Sequence, residues 1–224
     1  MCGRFQLKND SKSEGLAKAL GVSTADFRYS DDIAPGSGIS FIYHKNGSRR
    51  VDIATWWLLL DRATLKPNYK YASFNSRWDK LNKKGSLAYA PYRKTRCIIP
   101  ASAFIEGRGD KKTYHKIELQ DQAIAFGGLY KEHIHQETGE MVYSASIITL
   151  PALSEWKDIH PKSTPLMLPL EDRGLIESWL NPDTDTNSLE SQLIPSLWTP
   201  QHLTPIGKPG QWNPTGESFT ISPA

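Results

Sequence analysis

Arg96-Cys97-Ile98-Ile99-Pro100-Ala101-Ser102-Ala103-Phe104-Ile105-Glu106-Gly107 is apolar almost throughout and ends on a carboxylate beside a glycine. Its β-branched isoleucines and its length read as a pair of buried strands rather than a helix. Downstream, residues 114–119, 123–130 and 141–149 alternate like antiparallel strands, with turns expected at 110–112 and 138–140. Upstream, residues 38–57 form two apolar runs around Asn46-Gly47, a strong hairpin signal. Residues 2–6 and 166–168 read as short strands. Helices are expected at 11–21, with a serine cap and a terminal glycine, near 86–92, and at 171–180, stopped by Asn181-Pro182. A helical turn is expected at 154–159 and a weaker helix at 188–194. Residues 58–78 lack periodicity and read as a long loop, the kind that is often functional. From about 206 to 224, Pro209, Gly210, Pro214 and Gly216 predict an irregular tail. Strands dominate, helices are few and local, and there is no βαβ rhythm. The expected fold is therefore α+β: one β-rich domain spanning 1–224, built of antiparallel strands with a few peripheral helices.

Length and composition narrow the function classes. A chain of 224 residues with 38% hydrophobic and 23% charged residues reads as globular rather than disordered. No apolar run reaches the roughly 18 residues of a membrane helix, so no membrane role is expected. The N-terminus carries no apolar signal segment. Two cysteines, Cys2 and Cys97, make neither a disulfide framework nor a cysteine-rich zinc site. A reducing cytoplasm is the expected compartment, with no metal and no cofactor.

Charge is unevenly spread. Residues 66–96 hold nine Lys or Arg and one acid, Asp79, a local +8 that leaves −5 for the remainder of a chain whose net charge is +3. Tyr69, Tyr71, Phe74, Trp78, Tyr89 and Tyr92 are interleaved with those cations. Cations alternating with aromatics suit phosphates and unstacked bases; a solvated basic loop has the same composition.

Cys2 becomes the first residue if Met1 is trimmed. It is then a 1,2-aminothiol. An α-amine ionises near pH ~8, so much of it is neutral at pH 7. The amine can add to an aldehyde to give an imine, and the thiol can close a thiazolidine ring that an internal cysteine cannot make. Gly3 allows close backbone approach, and Arg4 sets a permanent cation beside the nucleophile. Imine chemistry needs proton carriers. Glu106, at the end of an apolar strand, is costly there unless paired or used. His160 follows a short turn and precedes Pro161. Asn75, inside the basic aromatic stretch, could hold a sugar hydroxyl or aldehyde oxygen, or cap a turn.

These pieces together resemble the SRAP family, the abasic-site-processing proteins first named as SOS-response-associated peptidases. The resemblance lies in Cys2-Gly3-Arg4-Phe5, IAPG at 33–36, FNSR at 74–77, the 96–107 stretch, AFGGLY at 125–130, IITL at 147–150 and IHPKSTPLML at 159–168, in family order. It implies a single α+β domain that crosslinks to the ring-opened aldehyde of an abasic site in single-stranded DNA, including sites at single-strand/double-strand junctions. It further implies that Cys2 forms the crosslink, Asn75 contacts the abasic sugar, Glu106 assists the imine chemistry, and His160 promotes ring opening and reversal. Arg4 and Arg77 match phosphate-binding positions, and Trp56, Trp57, Thr149 and Pro35 are expected near the DNA. A monomer is expected.

The chain departs from the family pattern at Asp32, where an asparagine is usual, and at Asp79, where a glutamate is usual. The segment 160–165 is one residue longer and lacks an arginine, and residues 55–61 replace a Trp-Gly-rich segment. Other readings of the same residues exist. Class II glutamine amidotransferases also begin Met-Cys-Gly, and Tyr43-His44-Lys45-Asn46-Gly47 faintly resembles their oxyanion segment. A peptidase could act on its own N-terminus. A DNA-binding module could use the basic stretch alone.

Overall fold

The computed structural model describes residues 2–223. Met1, whose removal the aminothiol chemistry requires, lies outside the described residues. The chain begins with strand β1 (Phe5–Leu7) and helix α1 (Ser11–Leu20). Asp10, not a serine, caps α1: its carboxylate accepts from the Ser13 N–H at 2.9 Å. An anionic cap satisfies an orphan donor and complements the helix dipole. Gly21 ends the helix at φ 63, a left-handed conformation without penalty for glycine. Next come β2 (Ser30–Ile33), β3 (Gly38–Lys45) and β4 (Ser48–Trp56). β3 and β4 are the expected hairpin. Lys45 pairs Ser48, and Asn46 and Gly47 turn with φ 54 and 77. Two positive φ angles are what a two-residue turn of this twist demands. That accounts for His44-Lys45-Asn46-Gly47 as a turn rather than an oxyanion segment.

The expected loop at 58–78 is partly ordered. It ends in β5 (Asn75–Arg77), followed by α2 (Trp78–Leu81) and α3 (Tyr89–Lys94). Then come β6 (Arg96–Ala101), β7 (Ala103–Gly107), β8 (Tyr114–Leu119), β9 (Ile124–Ile134), β10 (Met141–Leu150), β11 (Thr164–Pro165), α4 (Arg173–Leu180), β12 (Gln201–Ile206) and β13 (Phe219–Ile221). Residues 188–194, expected as a weak helix, lie mostly in a 3-10 helix over Thr186–Leu193.

The strands form two sheets. In one, the order β10-β4-β3-β6-β9 returns to β10, because β10 pairs with β9 on one edge and β4 on the other. Closing the ring removes exposed edges. Most pairings are antiparallel, but β10 runs parallel to both β4 and β5. The other sheet has the order β13-β12-β8-β7-β1-β2. The fold is thus a single β-rich domain with small helices outside it.

Residues 96–107 decide this layout. They do form two strands, but β6 and β7 do not pair with each other. Only Ser102 separates them, and a hairpin needs about two turn residues at least. The extended run instead leaves the ring and enters the second sheet. The Ser102 N–H donates to the Gln6 carbonyl at 2.7 Å, and β7 then pairs with β1 through Phe5↔Phe104 and Gln6↔Ala103. Phe5 sits edge-on to Trp56 with centroids 4.8 Å apart, and Phe104 edge-on to Phe126 at 5.4 Å. These buried rings join the sheets at the switch.

Two expectations are corrected by burial and pairing. The segment after Ile206 is not wholly irregular. It turns back and adds β13 to β12, covering an edge that would otherwise expose unpaired backbone. Arg96 does not belong to the basic surface. It is buried and donates to the carbonyls of Trp179, Tyr92 and Asn181, near the C-terminal ends of α3 and α4. A cation there complements both helix dipoles. Among the described residues no helix is long and apolar enough to cross a membrane.

The ring is tight where β6, β9 and β10 meet. A Cβ on Gly128 would lie 2.8 Å from Ile99 Cδ1, 3.0 Å from the Ser146 carbonyl oxygen and 3.1 Å from Cys97 Sγ. Gly128→Ala is therefore expected to destabilise the fold by about 1–3 kcal/mol, the usual cost of overpacking. Urea denaturation checks this, and an unchanged midpoint would show that the contact relaxes freely.

Candidate active site

Cys2 precedes β1 and is held by the β1–β7 ladder. The Ile105 N–H donates to the Arg4 carbonyl at 2.9 Å, extending the pairing toward the N-terminus. This brings Cys2 close enough to Glu106 for the carboxylate's charge to act on its thiol. Asn75 opens β5, which lies parallel to β10 through Ile147↔Asn75. Its Nδ2 donates to the Cys2 carbonyl at 2.7 Å. Its Oδ1 is buried with no hydrogen-bond partner among the described residues. A buried acceptor left open is unusual and suits a donor brought by a ligand. Two distant strands therefore converge on residue 2.

Glu106 and His160 meet beside it. His160 follows the 3-10 turn Ser154–Trp156, and its backbone N–H donates to the Trp156 carbonyl at 2.8 Å. His160 Nδ1 and Glu106 Oε2 are 3.5 Å apart. Nδ1 also donates to the Gly107 carbonyl, which can only accept, so Nδ1 carries the ring proton. Nε2 is then the acceptor and receives a weak bond from Ser163 Oγ at 3.3 Å. The two side chains are 2% and 7% exposed as residues. Burial pushes the Glu106 carboxyl up to about 7 and pushes the His160 imidazole down. The pair has the separation of an ion pair, yet burial drives each group toward its neutral form. A carboxyl poised near neutral pH can both give and take a proton.

Cys2 itself is fully buried, and burial, reinforced by the Glu106 charge, raises its thiol well above the usual range. Arg4 offsets this only in part, through its backbone N–H. Its guanidinium is paired with Asp32, whose other oxygen accepts from Trp212 Nε1 at 3.0 Å. The Asp32 departure thus draws Arg4 to the C-terminal segment. Arg4, Ile105, Glu106, Lys111, His160 and Pro209 line a cavity of about 370 Å³ at this point.

The expected DNA-facing residues divide sharply. Arg77 is exposed, with Nε and Nη2 bonded to the Asp79 carboxylate at 2.9 and 3.0 Å. Pro35 is half-buried in the turn after β2. Trp56 is a core residue: it has no exposed surface, and its Nε1 donates to the Phe74 carbonyl at 2.8 Å, so it cannot stack on DNA. Trp57 is also buried, donating to the Asn68 carbonyl, and the exposed ring against it is Tyr69. Thr149 is buried in β10, between Arg77 of β5 and Pro165 of β11. The sequence reading missed the Gly107 carbonyl, Ser163, Lys111 and Pro209, and the Arg4–Asp32–Trp212 cluster. A lone carbonyl has no sequence signal, and Asp32 and Trp212 are 180 residues apart. Among the described residues no cluster of three His, Cys, Asp or Glu side chains could hold a metal ion.

A β-rich domain that sets Cys2 against Asn75 and near Glu106, with His160 beside that carboxyl, defines a class. The chain belongs to the SOS response associated peptidase (SRAP) family, which matches residues 1–206. No curated protein matches it. Solved structures share the fold. A protein from Bacteroides thetaiotaomicron is similar with a TM-score of 0.70 at 21% identity, over 92% of each chain. A protein from Bordetella bronchiseptica gives 0.67 at 21%, over 87% of this chain and 94% of that one. A phage-related protein from the same organism gives 0.66 at 19%, over 92% and 94%.

The raised Glu106 pKa has a consequence for stability. The carboxyl titrates near 4.5 when unfolded and about 7 when folded. Between those values the folded state binds more protons than the unfolded state, so stability falls as pH rises through the window. Glu106→Gln should relieve a penalty on the order of 3 kcal/mol above pH 7 and little near pH 4. Urea titrations across that range test it; a variant that gains nothing on going to higher pH contradicts the burial argument.

Proposed function

We propose that this protein captures the ring-opened aldehyde of an abasic site in single-stranded DNA, using the amine and thiol of Cys2 after Met1 is removed. The observation that carries the reading is the Glu106 carboxyl, titrating at about 7, close to Cys2 on one side and 3.5 Å from the neutral His160 imidazole on the other. Each suits one proton transfer that such a capture needs. Family membership supports a role in DNA-damage processing, and the exposed cations of residues 66–94 support a nucleic-acid partner.

The abasic nucleotide has no base to unstack, so it enters a closed site at little cost. Neutral His160 takes the proton of the C1′ hydroxyl through Nε2 and returns it to the ring oxygen as the sugar opens to the aldehyde. The free Cys2 amine adds to C1′, and one amine proton moves to the aldehyde oxygen. Asn75 Oδ1 accepts from the hydroxyl that forms. Protonated Glu106 gives its proton to that hydroxyl, which leaves as water, and an iminium remains in equilibrium with the imine. Glu106, now a carboxylate, takes the thiol proton and is restored, and the thiolate sulfur bonds to C1′ of the iminium, leaving a neutral ring nitrogen. The sum is aldehyde plus aminothiol giving thiazolidine plus water. Because burial raises the Cys2 thiol and Arg4 is engaged by Asp32, proton abstraction by Glu106 is the better-supported activation route.

Processed protein mixed with abasic single-stranded DNA should give an adduct that survives denaturation. Cys2→Ala should give only an imine trapped by borohydride; a stable adduct without reduction would rule out ring closure. His160→Ala should slow both formation and reversal by roughly 100-fold, within the range of general acid–base catalysis. Unchanged rates in a quench-flow assay would remove His160 from the proton path.

A further inference from the structure

A second cavity, larger than the one that holds Glu106 and His160, has a volume of about 580 Å³, and Asn75 links it to Cys2. The side chain whose amide binds the Cys2 carbonyl also lines this cavity. Its floor is apolar, made by Leu59, Leu87 and Ala88. One wall is Tyr71, whose residue is 54% exposed. Arg77 and Lys80 stand at its rim. Nothing in the chemistry described above uses this space.

We infer that this cavity is a binding site for the nucleobase next to the abasic nucleotide, an inference that rests on the proposed capture of that nucleotide at Cys2. The occupant follows from the lining. An apolar floor and an exposed tyrosine wall fit a flat aromatic group, and base–aromatic stacking is tolerant of which base is present. Cations at the rim, within the segment of high positive charge, fit the phosphate that joins the two nucleotides. Arg77 and Lys80 share one carboxylate, Asp79, which leaves a net positive charge at the rim that a phosphate satisfies and an apolar peptide does not. Asn75 both binds the Cys2 carbonyl and lines the cavity, so the nucleotide at Cys2 and the one next to it on the strand are served by adjoining surfaces. The site would hold one neighbouring base out of its stack. This keeps the strand kinked at the lesion and sets which side of the abasic sugar faces Cys2.

The test uses full-length wild-type protein and oligonucleotides with a tetrahydrofuran in place of the abasic sugar, which binds but cannot crosslink. A second tetrahydrofuran replaces the base on one side or on the other. Deleting the base on one side should weaken binding about 10-fold, the lower part of the stacking range, and deleting the other should not. Tyr71→Ala should abolish that dependence, and Tyr71→Phe, which keeps the ring, should restore it. Tyr71 is exposed, so its replacement leaves the core intact. Equal losses on both sides, no loss on either, or a dependence that persists in Tyr71→Ala overturns the inference. Adduct formation with true abasic DNA is scored separately. If base dependence holds and no adduct forms, the capture chemistry fails while the nucleobase site stands.

Discussion

Backbone pairing between β1 and β7 is the constraint on which the rest depends. It joins the N-terminal strand to the continuous extended stretch that passes from the closed ring into the second sheet. β6 belongs to the ring, and β7 starts one residue later, so the position of β7 is set by ring closure. β1 inherits that position through hydrogen bonds from Ser102 and Ile105, and Phe5 locks it by burying its ring against Trp56 and Phe126. Chain termini are ordinarily loose. Here the second residue lies just beyond a hydrogen-bonded ladder, tied by Asn75 and close to Glu106, so its position is fixed.

Burial then sets the chemistry. The same low-dielectric environment raises the Glu106 carboxyl, lowers the His160 imidazole and raises the Cys2 thiol. Each shift disfavours the charged form. The result is a cluster of groups held toward their neutral forms rather than one built on a resting thiolate. Asp32 strengthens this character. By pairing with Arg4 it withdraws the cation that could have stabilised a thiolate, and it ties the N-terminal segment to Trp212.

The surface outside the site is divided by the same logic. Arg77, Lys80, Tyr69, Tyr71 and Trp78 remain exposed on one basic, aromatic stretch. Arg96, which composition places beside them, and Trp56, which the family resemblance places near the DNA, are buried, one holding helix ends and the other filling the core. Composition counts a cation or a ring wherever it falls. Whether it faces solvent depends on which carbonyls and which rings the fold brings to it.

Much was nevertheless legible in the sequence. Hydrophobic alternation marked most strands, Asn46-Gly47 marked the hairpin through its need for positive φ, and Gly21 and Asn181 marked helix ends. Cys2, Asn75, Glu106 and His160 were singled out individually, because each carries chemistry that is costly or wasted in an ordinary setting. Local pattern determines local conformation, and these are local signals. Their assembly was not local. That β6 and β7 part into different sheets, that β5 runs parallel to β10, and that the C-terminal segment returns as β13 are all outcomes of long-range pairing. Such pairing also made Trp56 core, joined Asp32 to Arg4, and pushed Glu106 to about 7. A pKa, a burial or a partner is a property of neighbours in space. Residue types along the chain set which reactive groups are present, and long-range strand pairing sets which of them meet.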